Sequence, residues 1–169
     1  MLAFCFLTTR KYNTQVMEES TGKHNTRVIL FTRWPIYCFV DHRSQNVIRA
    51  WLQAEKVPKT QVANFQAKID AYERGGPELN PGLIVGPIAK NIYKMKIKGH
   101  KGHVQLRPMC CFGPKHDNEV TLLFGAIEKD FRLRPDNCRE KANENRNAVL
   151  ADPTRRRRER IDGTIKAGI

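Results

Sequence analysis

The stretch "YKMKIKGHKGHVQLR", Tyr93 to Arg107, decides the fold. Lys94, Lys96 and Lys98 alternate with Tyr93, Met95 and Ile97, the period of an extended strand whose successive side chains face opposite ways. The apolar set can then pack inward while the ammonium groups stand about 6.5 to 7 Å apart on the outer face. A row of unpaired like charges repels itself, so it makes most sense beside an anion such as RNA, DNA, anionic lipid or an acidic protein. "KGHKGH" reads as a glycine-punctuated turn, after which Val104 to Arg107 alternates again, with Gln105 and Arg107 sharing one parity. Pro108 limits this second strand and argues for an edge or a bulge. If the two strands are neighbours in a hairpin, Lys94, Lys96, Lys98, Gln105 and Arg107 form one basic sheet face able to hold a phosphodiester. The plain alternative is a solvated lysine face that protects a sheet edge.

Outward from this hairpin the remaining elements follow from period and punctuation. "RVILF" (Arg27 to Phe31) and "IYCFV" (Ile36 to Val40) are β-rich runs, either two short strands or one broken at Trp34-Pro35. "SQNVIRAWLQAEK" places Val47, Ile48, Trp51 and Leu52 at helical spacing with Ser44 as the expected N-cap. Pro58 opens a second helix with a stripe of Val62, Phe65, Ile69 and Tyr72, and Gly75-Gly76-Pro77 stops it. Its aromatic side chains read as core. "EVTLLFGAI" (Glu119 to Ile127) is apolar on both parities, as expected of a central buried strand. Asp136 is the expected cap of a last helix that runs to about Leu150 and ends before Asp152-Pro153. The expected class is α+β: an N-terminal strand, a helical hairpin, then a small antiparallel sheet with a C-terminal helix. Residues 1–26 read as a flexible extension, 27–152 as the domain, and 153–169 as a mobile basic tail.

Charge narrows the partners. The formal net charge is +13, from 30 Lys and Arg against 17 Asp and Glu. Lys90 to His116 holds seven Lys or Arg and no acid, and Arg155 to Arg160 holds five arginines and one glutamate. Such clustering is the footprint of a nucleic-acid binder, because neutralised phosphates release condensed counterions. Within the run, Arg155, Arg156, Arg157 and Arg158 read either as sequence-independent phosphate contacts or as a solvated or partner-docking tail. His100, His103, Cys110, Cys111 and His116 match no common zinc spacing, so no metal is expected. No phosphate-cradling glycine loop is present, which disfavours nucleotide hydrolysis. Five irregularly spaced cysteines point to a reducing cytoplasm. "LAFCFL" is too short to span a membrane, and no signal peptide or membrane partner is expected.

The order of elements, with "GPIAKNIYKMKIKGHKGHVQLR" and "EVTLLFGAIEKDFRLRPDNCREKANENRNAVLAD", resembles the RelE/HigB superfamily of toxin ribonucleases, particularly phage-derived members. The resemblance covers roughly residues 27 to 152. It implies a metal-independent, cofactor-free ribonuclease that cuts mRNA, often on the ribosome, by attack of a ribose 2′-hydroxyl on the adjacent phosphate, and that is held in check by a small antitoxin. By resemblance Lys94 and Lys96 fall on the family's basic strand positions, either of which could serve as base. Arg107 falls on its phosphate-clamping arginine, and Lys129 on a basic position after the last strand. Lys98 and Gln105 would extend the RNA-binding face. Relatives that carry a Tyr or His near the C-terminus have no counterpart here after His116, so proton transfer would pass to His100 or His103. The rival expectations are a noncatalytic nucleic-acid-binding accessory protein and a basic assembly protein with an acidic partner.

Overall fold

The computed structural model describes residues 15–19, 27–31, 34–99 and 104–163. His100 and His103 therefore lie outside the described residues. The chain is α+β. Strands β1 (Gln15–Glu19) and β2 (Arg27–Phe31) pair antiparallel as a separate ribbon, so part of the segment read as an extension is itself a strand. After β3 (Ile36–Phe39) come helices α1 (Val47–Ala54) and α2 (Lys59–Leu79), then β4 (Ile84–Ala89), β5 (Ile92–Met95), β6 (Ile97–Lys98), β7 (Gln105–Leu106), β8 (Met109–Phe112) and β9 (Val120–Phe124). The chain continues through β10 (Ile127–Lys129), β11 (Arg132–Arg134), α3 (Cys138–Ala151), a single 3-10 turn (Pro153–Arg155) and β12 (Arg156–Arg157). No helix among the described residues is long and apolar enough to cross a membrane.

Local chemistry sets the helix limits. Asn46, rather than Ser44, caps α1: its side-chain oxygen accepts from the backbone N–H of Ile48 and Arg49 at 3.0 and 3.1 Å, which satisfies two of the donors a helix start leaves open. Ser44 sits in the left-handed region, φ 59°, within the preceding turn. In α2 regular helix ends at Gly76, whose φ of 55° and ψ of −155° kink the chain ahead of Pro77. The Trp34 ring packs where a Cβ of Gly76 would stand, 2.1 Å from its indole nitrogen, so glycine is required there both for its torsion and for the close approach. Asn137, not Asp136, occupies the N-cap position of α3, and its side chain makes no capping bond.

Six strands form the main sheet in the order β12-β3-β9-β8-β5-β4, and four form a smaller one in the order β11-β10-β7-β6. Among the described residues only β3 and β9 run parallel, with Ile36 opposite Val120. Helices α1 and α2 cover one face of the main sheet through Ile48, Leu52, Phe65, Ile69 and Tyr72. Helix α3 covers the other through Cys138, Ala142 and Val149. Strand β9 is buried on both faces, Val120 to Leu123 showing no exposure, which is why its sequence is apolar without alternation. Each fully buried side chain such as Leu122 or Phe65 stabilises the fold by about 1.5–3 kcal/mol.

The C-terminal arginines are not a mobile tail. Strand β12 pairs antiparallel with β3, Arg156 opposite Phe39 and Arg157 opposite Cys38. Arg156 is buried: it donates to Glu119 at 2.7 Å and to the Gly113 carbonyl at 3.1 Å, and its guanidinium lies 4.1 Å from the Tyr37 ring centroid. Arg155 stacks on Phe39 at 5.0 Å, Arg158 reaches Glu73 at 3.3 Å, and Arg160 bridges Asp70 and Asp162 at 3.1 and 2.9 Å. The run straps the first core strand to the second helix.

Candidate functional site

The hairpin expected from the lysine repeat spans both sheets. Tyr93 pairs with Cys110 and Lys94 with Met109 in the main sheet, and Ile97 with Leu106 and Lys98 with Gln105 in the smaller one. The register is the same throughout, which sets Lys96 across from Arg107 where the ladder is interrupted. The interruption falls at Pro108, which has no N–H to offer; its carbonyl accepts from Met95 at 2.9 Å, while the Arg107 N–H turns to Ala126 at 2.7 Å. Met95 and Ile97 are buried, whereas Lys96 and Lys98 are exposed, as the alternation requires.

A third strand changes the face. Strand β9 leaves the main sheet through Gly125-Ala126 and continues as β10 beside β7, Glu128 opposite Gln105. Gly125 permits this bend to lie under α1: a Cβ there would come 1.9 Å from the Trp51 ring. Directly opposed residues share a face, so Glu128 stands among the cations. Lys94 Nζ lies 3.2 and 3.4 Å from its two oxygens, and Arg107 Nε donates to Glu128 Oε2. Arg107 also donates from Nη1 to the Leu106 carbonyl at 3.2 Å. The three side chains are 19%, 11% and 16% exposed for Lys94, Arg107 and Glu128.

Partial burial pushes the Glu128 carboxyl up, but hydrogen bonds from Arg107 and Lys94 outweigh it and hold the group below the usual glutamate range. Glu128 is thus an anion at neutral pH, placed between two fixed cations. Lys96 and Lys98 make no ion pair among the described residues, so the face carries four cations against one carboxylate. The expected open row of lysines is corrected accordingly: Lys94 and Arg107 converge, but on the chain's own carboxylate, and only Lys96 and Lys98 stand open to solvent. Such an arrangement can bind an anion at its exposed cations, and the carboxylate can accept a proton from a hydroxyl held beside it.

Other expected site residues fall elsewhere. Lys129 is paired with Arg132 and points to the opposite face of β10 from Glu128. Arg156 is buried beneath the sheet edge and cannot reach a polyanion, while Arg155 and Arg158 are taken up by Phe39 and Glu73. Arg157 is the most open of the four, 49% exposed and 3.8 Å from Glu159. Cys110 and Cys111 are buried, and burial pushes the Cys111 thiol up to about 11. A cavity of about 410 Å³ lined by Trp34, Tyr72, Ile84, Phe112 and Asp117 opens beside the α2 kink and shares no residue with the cation cluster.

Sequence reasoning found the cations and missed the role of Glu128. Its place among the lysines depends on β10 joining the hairpin, which no local pattern states. No protein-family model matches the chain, and neither a curated protein nor a solved structure matches it.

Proposed function

We propose that the protein is an RNA-binding, toxin-like ribonuclease acting on single-stranded RNA by 2′-hydroxyl attack, of the RelE/HigB kind that its sequence resembles, with a small antitoxin as its protein partner and the cytoplasm as its place of action. One observation carries the reading: Lys94 and Arg107, from the two arms of one hairpin, meet on Glu128 of a third strand beside the exposed Lys96 and Lys98. Glu128 takes the proton from O2′ as that oxygen bonds to phosphorus. Lys94 and Arg107, displaced toward the phosphate, offset the charge that grows on its oxygens. The P–O5′ bond breaks, and Lys96 or a histidine of the turn, His100 or His103, returns a proton to O5′. A 2′,3′-cyclic phosphate and a 5′-hydroxyl result.

The rival reading is a noncatalytic nucleic-acid binder, favoured by the same carboxylate, since Glu128 already saturates the two least exposed cations. The two readings separate on one experiment. Purified wild type, Glu128→Gln, Arg107→Ala and Lys94→Ala/Lys96→Ala are incubated with single-stranded RNA, and product ends and affinity are both measured. The nuclease reading expects cyclic-phosphate ends from wild type, a loss of about 10²- to 10⁴-fold in Glu128→Gln without loss of binding, and weaker binding in the cation variants. Retention of RNA without new ends leaves the binder. Failure of wild type to retain RNA removes both.

A further inference from the structure

Strands β10 and β11 are closed by the pair Lys129 and Arg132, which leaves Asp130 and Phe131 as a two-residue turn. Both have positive φ, 50° and 61°, the torsions of the hairpin turn that normally takes Asn-Gly or Asp-Gly. Phenylalanine is among the residues least suited to that region. Nor does packing account for it: Phe131 is 99% exposed, with its whole ring in solvent at the tip of the ribbon. A residue that is disfavoured by its backbone and buries nothing calls for an external contact.

Charge narrows what that contact is. Lys129, Arg132 and Arg134 lie on one face of the ribbon, because Lys129 is opposed to Arg132 and Arg134 follows two residues on. All three are exposed. Asp130 is the acid of the turn. The opposite face of the same ribbon carries Glu128, at most about 10 Å along the strand from Phe131. An isolated ring flanked by cations, with no apolar surround, suits a flat π-face on a polyanion better than a protein pocket, which needs a dry apolar rim.

We propose that Phe131 is a stacking platform for an unpaired RNA base, with Lys129, Arg132 and Arg134 taking the phosphates of the flanking nucleotides. This rests on the RNA-binding reading above and gives it a direction: the strand runs from the Lys94–Arg107–Glu128 cluster to the hairpin tip. It also gives Lys129 an RNA contact on the ribbon face away from Glu128.

The test is affinity for an unstructured oligoribonucleotide and for a duplex RNA of equal length, with wild type, Phe131→Ala, Phe131→Gly and Phe131→Trp. Stacking on one base predicts a loss of about 5- to 150-fold in Phe131→Ala on the single strand and none on the duplex. Phe131→Gly relieves the backbone and should lose affinity equally, which separates stacking from any effect on folding. Phe131→Trp should keep affinity and show its fluorescence quenched by the single strand. Equal single-strand affinity in wild type and Phe131→Ala overturns the platform while leaving the RNA-binding reading intact. Binding of wild type but not Phe131→Ala to phosphatidylserine vesicles, with RNA affinity unchanged, replaces the base by a lipid surface. No RNA binding by wild type removes both proposals.

Discussion

Arg156 offers the sharpest test of the packing. Its side chain and that of Glu119 are 4% and 5% exposed, and the pair is joined at 2.7 Å. Truncation by Arg156→Ala strands a buried carboxylate, which costs about 3–5 kcal/mol when a buried pair loses one partner. The contact with Tyr37 at 4.1 Å adds about 0.5–2 kcal/mol. Glu119 keeps a donor, the Lys115 N–H at 3.3 Å, so the lower part of the combined range is expected, about 3.5–4 kcal/mol. For a chain of 169 residues each kcal/mol shifts Tm by about 2–4 °C, so Arg156→Ala should melt about 7–16 °C below wild type. The double variant Arg156→Met/Glu119→Gln removes both charges and should lose clearly less than the two single changes added together. Thermal unfolding followed by circular dichroism reads all five proteins: wild type, Arg156→Ala, the singles Arg156→Met and Glu119→Gln, and the double variant. A Tm for Arg156→Ala within about 2 °C of wild type, against that 2–4 °C per kcal/mol, or strict additivity in the cycle, would refute the docked strap and return the arginines to solvent.

Two further outcomes follow from the ionisable groups. Glu128 is held below its ordinary value, so its contribution is fully present above the unfolded pKa, about 4.3, and is lost as pH falls through the lower folded value; Glu128→Gln should therefore show a shallower fall of Tm than wild type as pH drops below about 4.3. Burial pushes the Cys38 thiol up to about 12 and Cys111 to about 11, and raises Cys110 and Cys138 as well. Iodoacetamide at pH 8 should therefore leave these four unmodified in folded protein and label them in urea, as read by peptide mass spectrometry.

Legibility in the sequence tracked locality. The lysine repeat, the glycine turn and Pro108 act within a few residues, and they defined the hairpin and its parity. The bipolar burial of β9 was readable because a strand covered on both faces cannot alternate. The cap of α1 was displaced by two residues, since Ser44 and Asn46 are both competent and the turn geometry chose between them. What depended on distant pairing was not readable. Strand β10 brings Glu128 to Lys94 across 34 residues, and β12 brings Arg156 to Glu119 across 37. A run of arginines has the composition of a solvated tail whether or not carboxylates await it. The tip at Phe131 was equally silent, because its meaning lies in a torsion and not in a period.

The placement of β12 has a bearing on biosynthesis. Among the described strands, the one that seals the edge of β3 is made last, more than a hundred residues after its partner. Until it arrives, β3 offers unpaired amide and carbonyl groups along that margin, a template for adventitious pairing with another nascent chain. Products that terminate early, before Arg156, would accumulate as aggregates and not as soluble fragments.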